Sequence, residues 1–231
     1  RGLGDVYKRQ GYYGPAAAKQ LRYLLKNVTR TPTGAISQRA SPKQVQLWSD
    51  SAYMGPPFLA YYGWVTQNQS LVQMAFDELK LQRSALHRPQ DPGRHLWRHI
   101  IEFPNNTKAT RAIDARVWLT GNGWAAAGML RVAAIISHSP WANKMQAQHD
   151  QLVQWADDII TAAYQFVDPG TGLLLNAIDD PSTFLDGSGS ALLSYAVFRL
   201  ASMDQGRKKH VDMAEKAYQT LSKSLNSLSQ F

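Results

Sequence analysis

The 231-residue sequence contains no cysteine. That excludes a disulfide framework, a thiolate nucleophile and any cysteine-based metal site, and it leaves the redox compartment undefined. The sequence also lacks any apolar run near the roughly 18 residues needed to cross a bilayer, so no membrane partner is expected. No signal peptide is visible. His87, His95, His99, His138, His149 and His210 show no ligand spacing, so no metal is expected. Acid is the scarcer charge, 17 Asp and Glu against 25 Lys and Arg. The resulting formal charge of +8 suits a polyanion, either nucleic acid or an acidic polysaccharide, without choosing between them. The cations are scattered rather than gathered on one stripe, and no nucleic-acid partner is expected. Three sequons, at Asn27, Asn68 and Asn105, are compatible with export, and an extracellular location is the expectation.

What is present can fill a core. Hydrophobic residues make up 44% of the chain, enough for one large domain or part of one, and seven Trp and ten Tyr exceed what a plain helical bundle requires. The opening decapeptide, Arg1 to Gln10, resembles translated sequencing-adapter read-through and contributes +2 of the net charge through Arg1, Lys8 and Arg9 against Asp5. Setting it aside leaves residues 11–231 as the domain to be explained.

Two kinds of helical segment alternate along that domain. Ser51 to Gly63 is almost wholly apolar and small, as a helix surrounded by others must be, and Pro56 and Pro57 predict a kink in it. Leu71 to Leu86 follows with a one-sided apolar stripe at Leu71, Met74, Ala75 and Leu79. The pair recurs as Gly123 to Ile136 with Met145 to Val167, and again as Gly189 to Ala201 with Lys208 to Leu225, whose stripe is Val211, Ala214, Ala217, Tyr218 and Leu221. An amphipathic segment from Pro15 to Asn27 precedes them. Buried-then-amphipathic hairpins in series predict an all-α double ring of helices, an (α/α) barrel of which about three and a half hairpins are present. Both ends then read as truncated. No segment shows the alternation of a strand.

Each wholly apolar helix is preceded by a loop rich in aromatic, Gly and polar residues: Trp48-Ser49-Asp50, then Trp118 to Trp124, then Asp186 to Ser190. In a ring these loops share one end, and with Trp97-Arg98-His99 they predict a Trp-walled cleft of the kind that holds sugars. Asp50 stands where a carboxylate commonly caps a helix; alternatively, half-buried among Trp48, Tyr53 and Met54, it serves as a proton donor and acceptor. Asp186 has the same two uses, of which capping is preferred. His99 is either an ordinary core or surface histidine or a group that orients substrate. Gly121-Asn122-Gly123 suits a tight turn, although the flanking Trp118 and Trp124 suggest more.

These loops resemble glycoside hydrolase family 105 and its sister family 88, six-hairpin enzymes that remove unsaturated uronic acids. Trp48-Ser49-Asp50 with Tyr53-Met54 and Pro57-Phe58 is similar to their Trp-x-Asp…Met…Pro-Phe segment, and Trp118-x-Thr120-Gly121-Asn122-Gly123-Trp124 to their Trp-x-Arg-Gly-x-Gly-Trp loop. Trp97-Arg98-His99 and Asp186 to Ala191 match the intervening histidine segment and the Ser-rich start of the next inner helix. The resemblance implies an (α/α)6 barrel in which Asp50 is catalytic and Trp48, His99, Trp118, Thr120, Asn122 and Trp124 bind substrate. It implies hydration of a vinyl ether in an oligosaccharide ending in an unsaturated galacturonyl or glucuronyl residue, with no cofactor. Thr120 departs from the family, which has Arg at that place, as in a divergent fungal-type branch. A non-catalytic sugar-binding toroid is the alternative.

Overall fold

The computed structural model describes residues 3–88 and 95–228, and helices dominate it. After α1 (Leu3–Lys26) come three hairpins: α2 (Ser51–Val65) with α3 (Gln69–Leu86), α4 (Leu119–Ser137) with α5 (Gln146–Ala163), and α6 (Gly187–Met203) with α7 (Val211–Leu228). Helix α4 packs against both α2 and α6, while α3, α5 and α7 each back their own partner. This is a sector of an (α/α) barrel, as the alternation of helix types requires.

The inner helices are packed by small residues. In α4 the side chains of Ala125, Ala126, Ala127, Met129, Leu130, Val132, Ala133 and Ile136 are all fully buried, around most of the helix, while Trp124, Arg131 and Ile135 form a less buried face. The outer helices bury one stripe each: Leu71, Val72, Ala75 and Leu79 in α3, and Leu152, Ala156, Ile159 and Ile160 in α5. Asn68 ends the α2–α3 turn by accepting a hydrogen bond from the Ser70 amide at 3.1 Å, a standard helix cap.

Four sequence expectations change. Helix α1 starts at Leu3 and runs through Pro15, so it takes in most of the opening decapeptide instead of beginning at the proline; Arg1 lies outside the described residues. Tyr218, expected on the buried stripe of α7, is exposed, whereas Ala214 and Ala217 are buried as expected. Helix α2 runs beyond the expected Gly63 to Val65, with Pro56 and Pro57 inside it. Finally, three short strands are present: β1 (Gln46–Trp48), β2 (Ile100–Glu102) and β3 (Arg111–Asp114), antiparallel in the order β1-β2-β3. At three or four residues each, they are too short to show alternation and are defined only by their partners.

The prolines have a structural counterpart. Neither can donate an N–H, so the carbonyls of Ala52 and Tyr53, four residues earlier, lack their helical donors. Gly128 of α4 packs directly there: a Cβ at this position would lie 2.2 Å from the Ala52 oxygen and 3.0 Å from the Tyr53 Cα. The α2–α4 approach therefore requires glycine. Gly128→Ala is expected to cost about 1–3 kcal/mol through backbone displacement, read as a lowered Tm in thermal unfolding.

Candidate active site

The small sheet exists at the end of the ring where the inner helices start. Strand β1 runs straight into Asp50 and α2, and β3 leads through Arg116 to Trp118 and α4. Between them His99 is held by its backbone: its carbonyl accepts from the Ser49 amide and its amide donates to the Arg116 carbonyl, both at 3.0 Å. Gly121 lets the first turn of α4 close on this arrangement, since a Cβ there would stand 2.1 Å from the Ser49 hydroxyl.

Asp50 occupies the capping position of α2 but does not cap it. Its backbone is helical (φ −58, ψ −34) and its side chain accepts no bond from the first turn. Oδ2 is buried without a hydrogen-bond partner among the described residues. The nearest cationic or proton-bearing group is His99, whose Nε2 lies 3.6 Å from it. The other ring nitrogen, Nδ1, lies 2.9 Å from Oδ2 of Asp114. Asp50, His99 and Asp114 are respectively 19%, 16% and 16% exposed, so the row is sheltered yet reachable.

The two flanking carboxyls differ in electrostatics. Arg116 forks onto Asp114, donating from Nε at 2.9 Å and from Nη2 at 2.7 Å, and its amide donates to the same carboxylate. These bonds from Arg116, chiefly, hold the Asp114 carboxyl well below the usual carboxylate range; burial opposes them and His99 adds to them. Asp50 has no such cation.

Aromatic rings enclose the row. Trp48 meets His99 edge-on at 5.8 Å between centroids, and Trp118 lies 4.5 Å from it, tilted. Arg39 covers the Trp48 ring at 5.1 Å, and the Trp48 indole donates to Gln46. Further in, Trp124 packs on Tyr53 at 4.5 Å, and Arg131 donates to the Tyr53 hydroxyl at 2.7 Å while lying over its ring.

Thr120 belongs to a second cluster on the α6 side. Its hydroxyl is 3.4 Å from Asp186 Oδ2, which also accepts from the Asn176 amide at 2.9 Å. Asp186 Oδ1 accepts from the Gly189 amide and the Ser188 hydroxyl, so this carboxylate does cap its helix, as preferred from the sequence. Burial pushes the Asp186 carboxyl up, but the bonds from Gly189, Ser188 and Asn176 outweigh it and the net shift is downward.

Two expectations fail. Asn122, expected to bind substrate, is 0% exposed, and its amide is spent on the backbone: Oδ1 accepts from the Trp97 amide, and Nδ2 donates to the carbonyls of Trp97 and Trp118. It is an internal brace. Trp97, expected in the cleft wall, is likewise 0% exposed and belongs to the core. Asp114, Arg116, Arg39 and Arg131 escaped the sequence reading. The only trace of Asp114 was a carboxylate four residues before Trp118. Among the described residues no cluster of three or more His, Cys, Asp or Glu could hold a metal, and no helix is long and apolar enough to cross a membrane.

Three inner-and-outer hairpins, with Asp50 and His99 between Trp48 and Trp118 at their loop end, make up a sector of an (α/α) barrel. The profile of Glycosyl Hydrolase Family 88 matches residues 6–230, and the chain belongs to that family. An unsaturated rhamnogalacturonyl hydrolase of Bacillus subtilis is 24% identical over 194 residues, covering 80% of this chain and 51% of the relative. A crystal structure of a possible member of the GH105 family from Salmonella enterica superposes with a TM-score of 0.80 at 22% identity, covering 93% of this chain and 54% of that one. The unsaturated glucuronyl hydrolase from Bacillus sp. GL1, described as responsible for glycosaminoglycan degradation, gives a TM-score of 0.58 at 17% identity, covering 76% and 46%. The chain thus spans about half the length of the relatives it matches.

The two carboxyls at helix starts make separable predictions. Asp186→Ala is expected to lower stability by about 2 kcal/mol through loss of the cap and of buried bonds. Because the Asp186 carboxyl is shifted down, its stabilisation is complete above the pKa it has in the unfolded chain and is lost as pH falls through the lowered folded value. The variant's deficit should therefore shrink in acid, as checked by urea unfolding across pH. Asp50→Asn, which removes no cap, should leave stability within about 0.5 kcal/mol in the same assay.

Proposed function

We propose that the protein containing this chain is a glycosidase that removes a 4,5-unsaturated uronic acid, galacturonyl or glucuronyl, from the end of an oligosaccharide. The observation that carries the reading is Asp50 itself: a sheltered carboxyl at a helix start, free of capping bonds, facing His99 between Trp48 and Trp118. A carboxyl whose oxygens are not committed to capping bonds is free to meet a substrate, as a group acting as both acid and base must.

Asp50 would give its proton to C4 of the C4=C5 double bond, leaving positive charge at C5 stabilised by the ring oxygen. The carboxylate then takes a proton from water as the water oxygen bonds to C5. The hemiketal so formed opens and releases the aglycone, and Asp50 is protonated again. One carboxyl performs both steps, unlike the paired carboxylates of ordinary glycosidases. Trp48 and Trp118 supply faces for the sugar, with Trp124 and Tyr53 further along the cleft.

The second reading, a sugar-binding toroid without turnover, is favoured by Thr120. Its hydroxyl is directed to Asp186, and it brings no cation to the place where the family has Arg. Loss of the ultraviolet absorbance of the conjugated double bond separates the two, using unsaturated digests of pectin and of glycosaminoglycans with the longest available form of the protein. The hydrolase reading expects absorbance loss that Asp50→Asn reduces by at least about 100-fold while binding persists. Binding with no loss on either digest would favour the toroid.

A further inference from the structure

We propose that Asp114 is a positioning residue that sets which nitrogen of His99 carries the hydrogen, and so whether His99 turns an acceptor or a donor toward Asp50. The proposal builds on the reading of Asp50 as proton donor and acceptor, but its geometric part stands apart from any substrate. A single imidazole bridges two carboxyls from different elements: Nδ1 is 2.9 Å from Asp114 Oδ2, and Nε2 is 3.6 Å from Asp50 Oδ2. Backbone bonds to Ser49 and Arg116 fix the histidine from both sides. The charged and titratable groups around it are Asp50 at the start of α2, Asp114 on β3 and Arg116 just beyond; the rings of Trp48 and Trp118 close the remaining sides, with Arg39 over Trp48.

The order of events follows from who can donate. Asp114, clamped by the Arg116 fork, is a carboxylate and can only accept, so Nδ1 must carry the hydrogen between them. A neutral imidazole then turns a lone pair at Nε2 toward Asp50. The oxygen facing it is the Oδ2 that has no other partner. At 3.6 Å this contact is loose, as contacts in unliganded sites are, and it closes to a hydrogen bond that orients the Asp50 carboxyl when substrate binds. In turnover the proton leaves Asp50 for C4, and another returns to Asp50 from the adding water, so no net proton passes to His99. Asp114 touches neither substrate nor reacting atoms.

Asp114→Asn tests this. An amide can donate to Nδ1, which would move the hydrogen to Nε2 and present Asp50 with a donor. The hydrogen-bonding character of the group that orients the Asp50 carboxyl would then be reversed. We expect kcat to fall about 10- to 100-fold with KM within about twofold. Long-range proton–nitrogen NMR on the unliganded protein, with His99 assigned by its disappearance in His99→Gln, should show the hydrogen on Nδ1 in the parent and on Nε2 in Asp114→Asn. Asp114→Glu keeps a carboxylate, so it should retain the Nδ1–H form and the parent kcat; it also serves if the Asn variant fails to fold. An unchanged tautomer in Asp114→Asn overturns the proposal, as does a large kcat loss in Asp114→Glu with the tautomer intact. If the parent turns over no unsaturated uronate, the hydrolase reading fails, and the NMR result alone decides the role of Asp114.

Discussion

Asn122 bonds to both backbone groups of Trp97 and to the Trp118 carbonyl, so the side chain of an inner helix completes a stretch of backbone pairing that no strand supplies. A buried amide with these bonds broken would cost several kcal/mol, so the segment carrying Trp97 has little freedom to leave the first turn of α4. Two residues further on is His99. Its position beside Asp50 is therefore inherited from a bond made in the core, and the geometry of the site depends on the brace more directly than on the bulk of helix packing.

The structure treats its two helix-start carboxyls in opposite ways. Asp186 is enclosed by donors from Gly189, Ser188, Asn176 and Thr120, which hold it as a carboxylate. Asp50 sits at the equivalent place on α2 and receives none of these. Identical residue types at matching positions of two hairpins thus diverge, one holding a helix end and the other free of capping bonds. The difference lies in the neighbours: the first turn of α6 with Asn176 and Thr120 encloses Asp186, whereas Asp50 faces His99, just before β2.

That distinction marks how far the sequence could be read. The alternation of wholly apolar and one-sided helices was legible because each segment runs for many residues, and the period of an α-helix repeats several times within it. The loop-end location of Trp48, Asp50, Trp118, Thr120 and Trp124 followed from the same alternation. The strands were not legible: three residues such as Gln46–Trp48 carry no period, and only pairing across more than fifty residues makes them strands. Asp114 was hidden with them. Asn122 was misread because local sequence says nothing of which way a first-turn side chain points, and here it points inward, where unpaired backbone groups needed it. Whether Asp50 capped its helix was equally undecidable from position alone.

The cleft is assembled across two different seams of the ring. Asp50, His99 and Asp114 come from the start of α2 and the connection between α3 and α4, whereas Thr120, Asn176, Asp186 and Ser188 gather where α4 meets α6. Substitutions in one seam can thus accumulate with little effect on the other. A lineage could exchange the group at position 120 while the Asp50–His99–Asp114 row persists unaltered. Modular inheritance of this kind gives an (α/α) ring a route to new substrates without having to reinvent its chemistry.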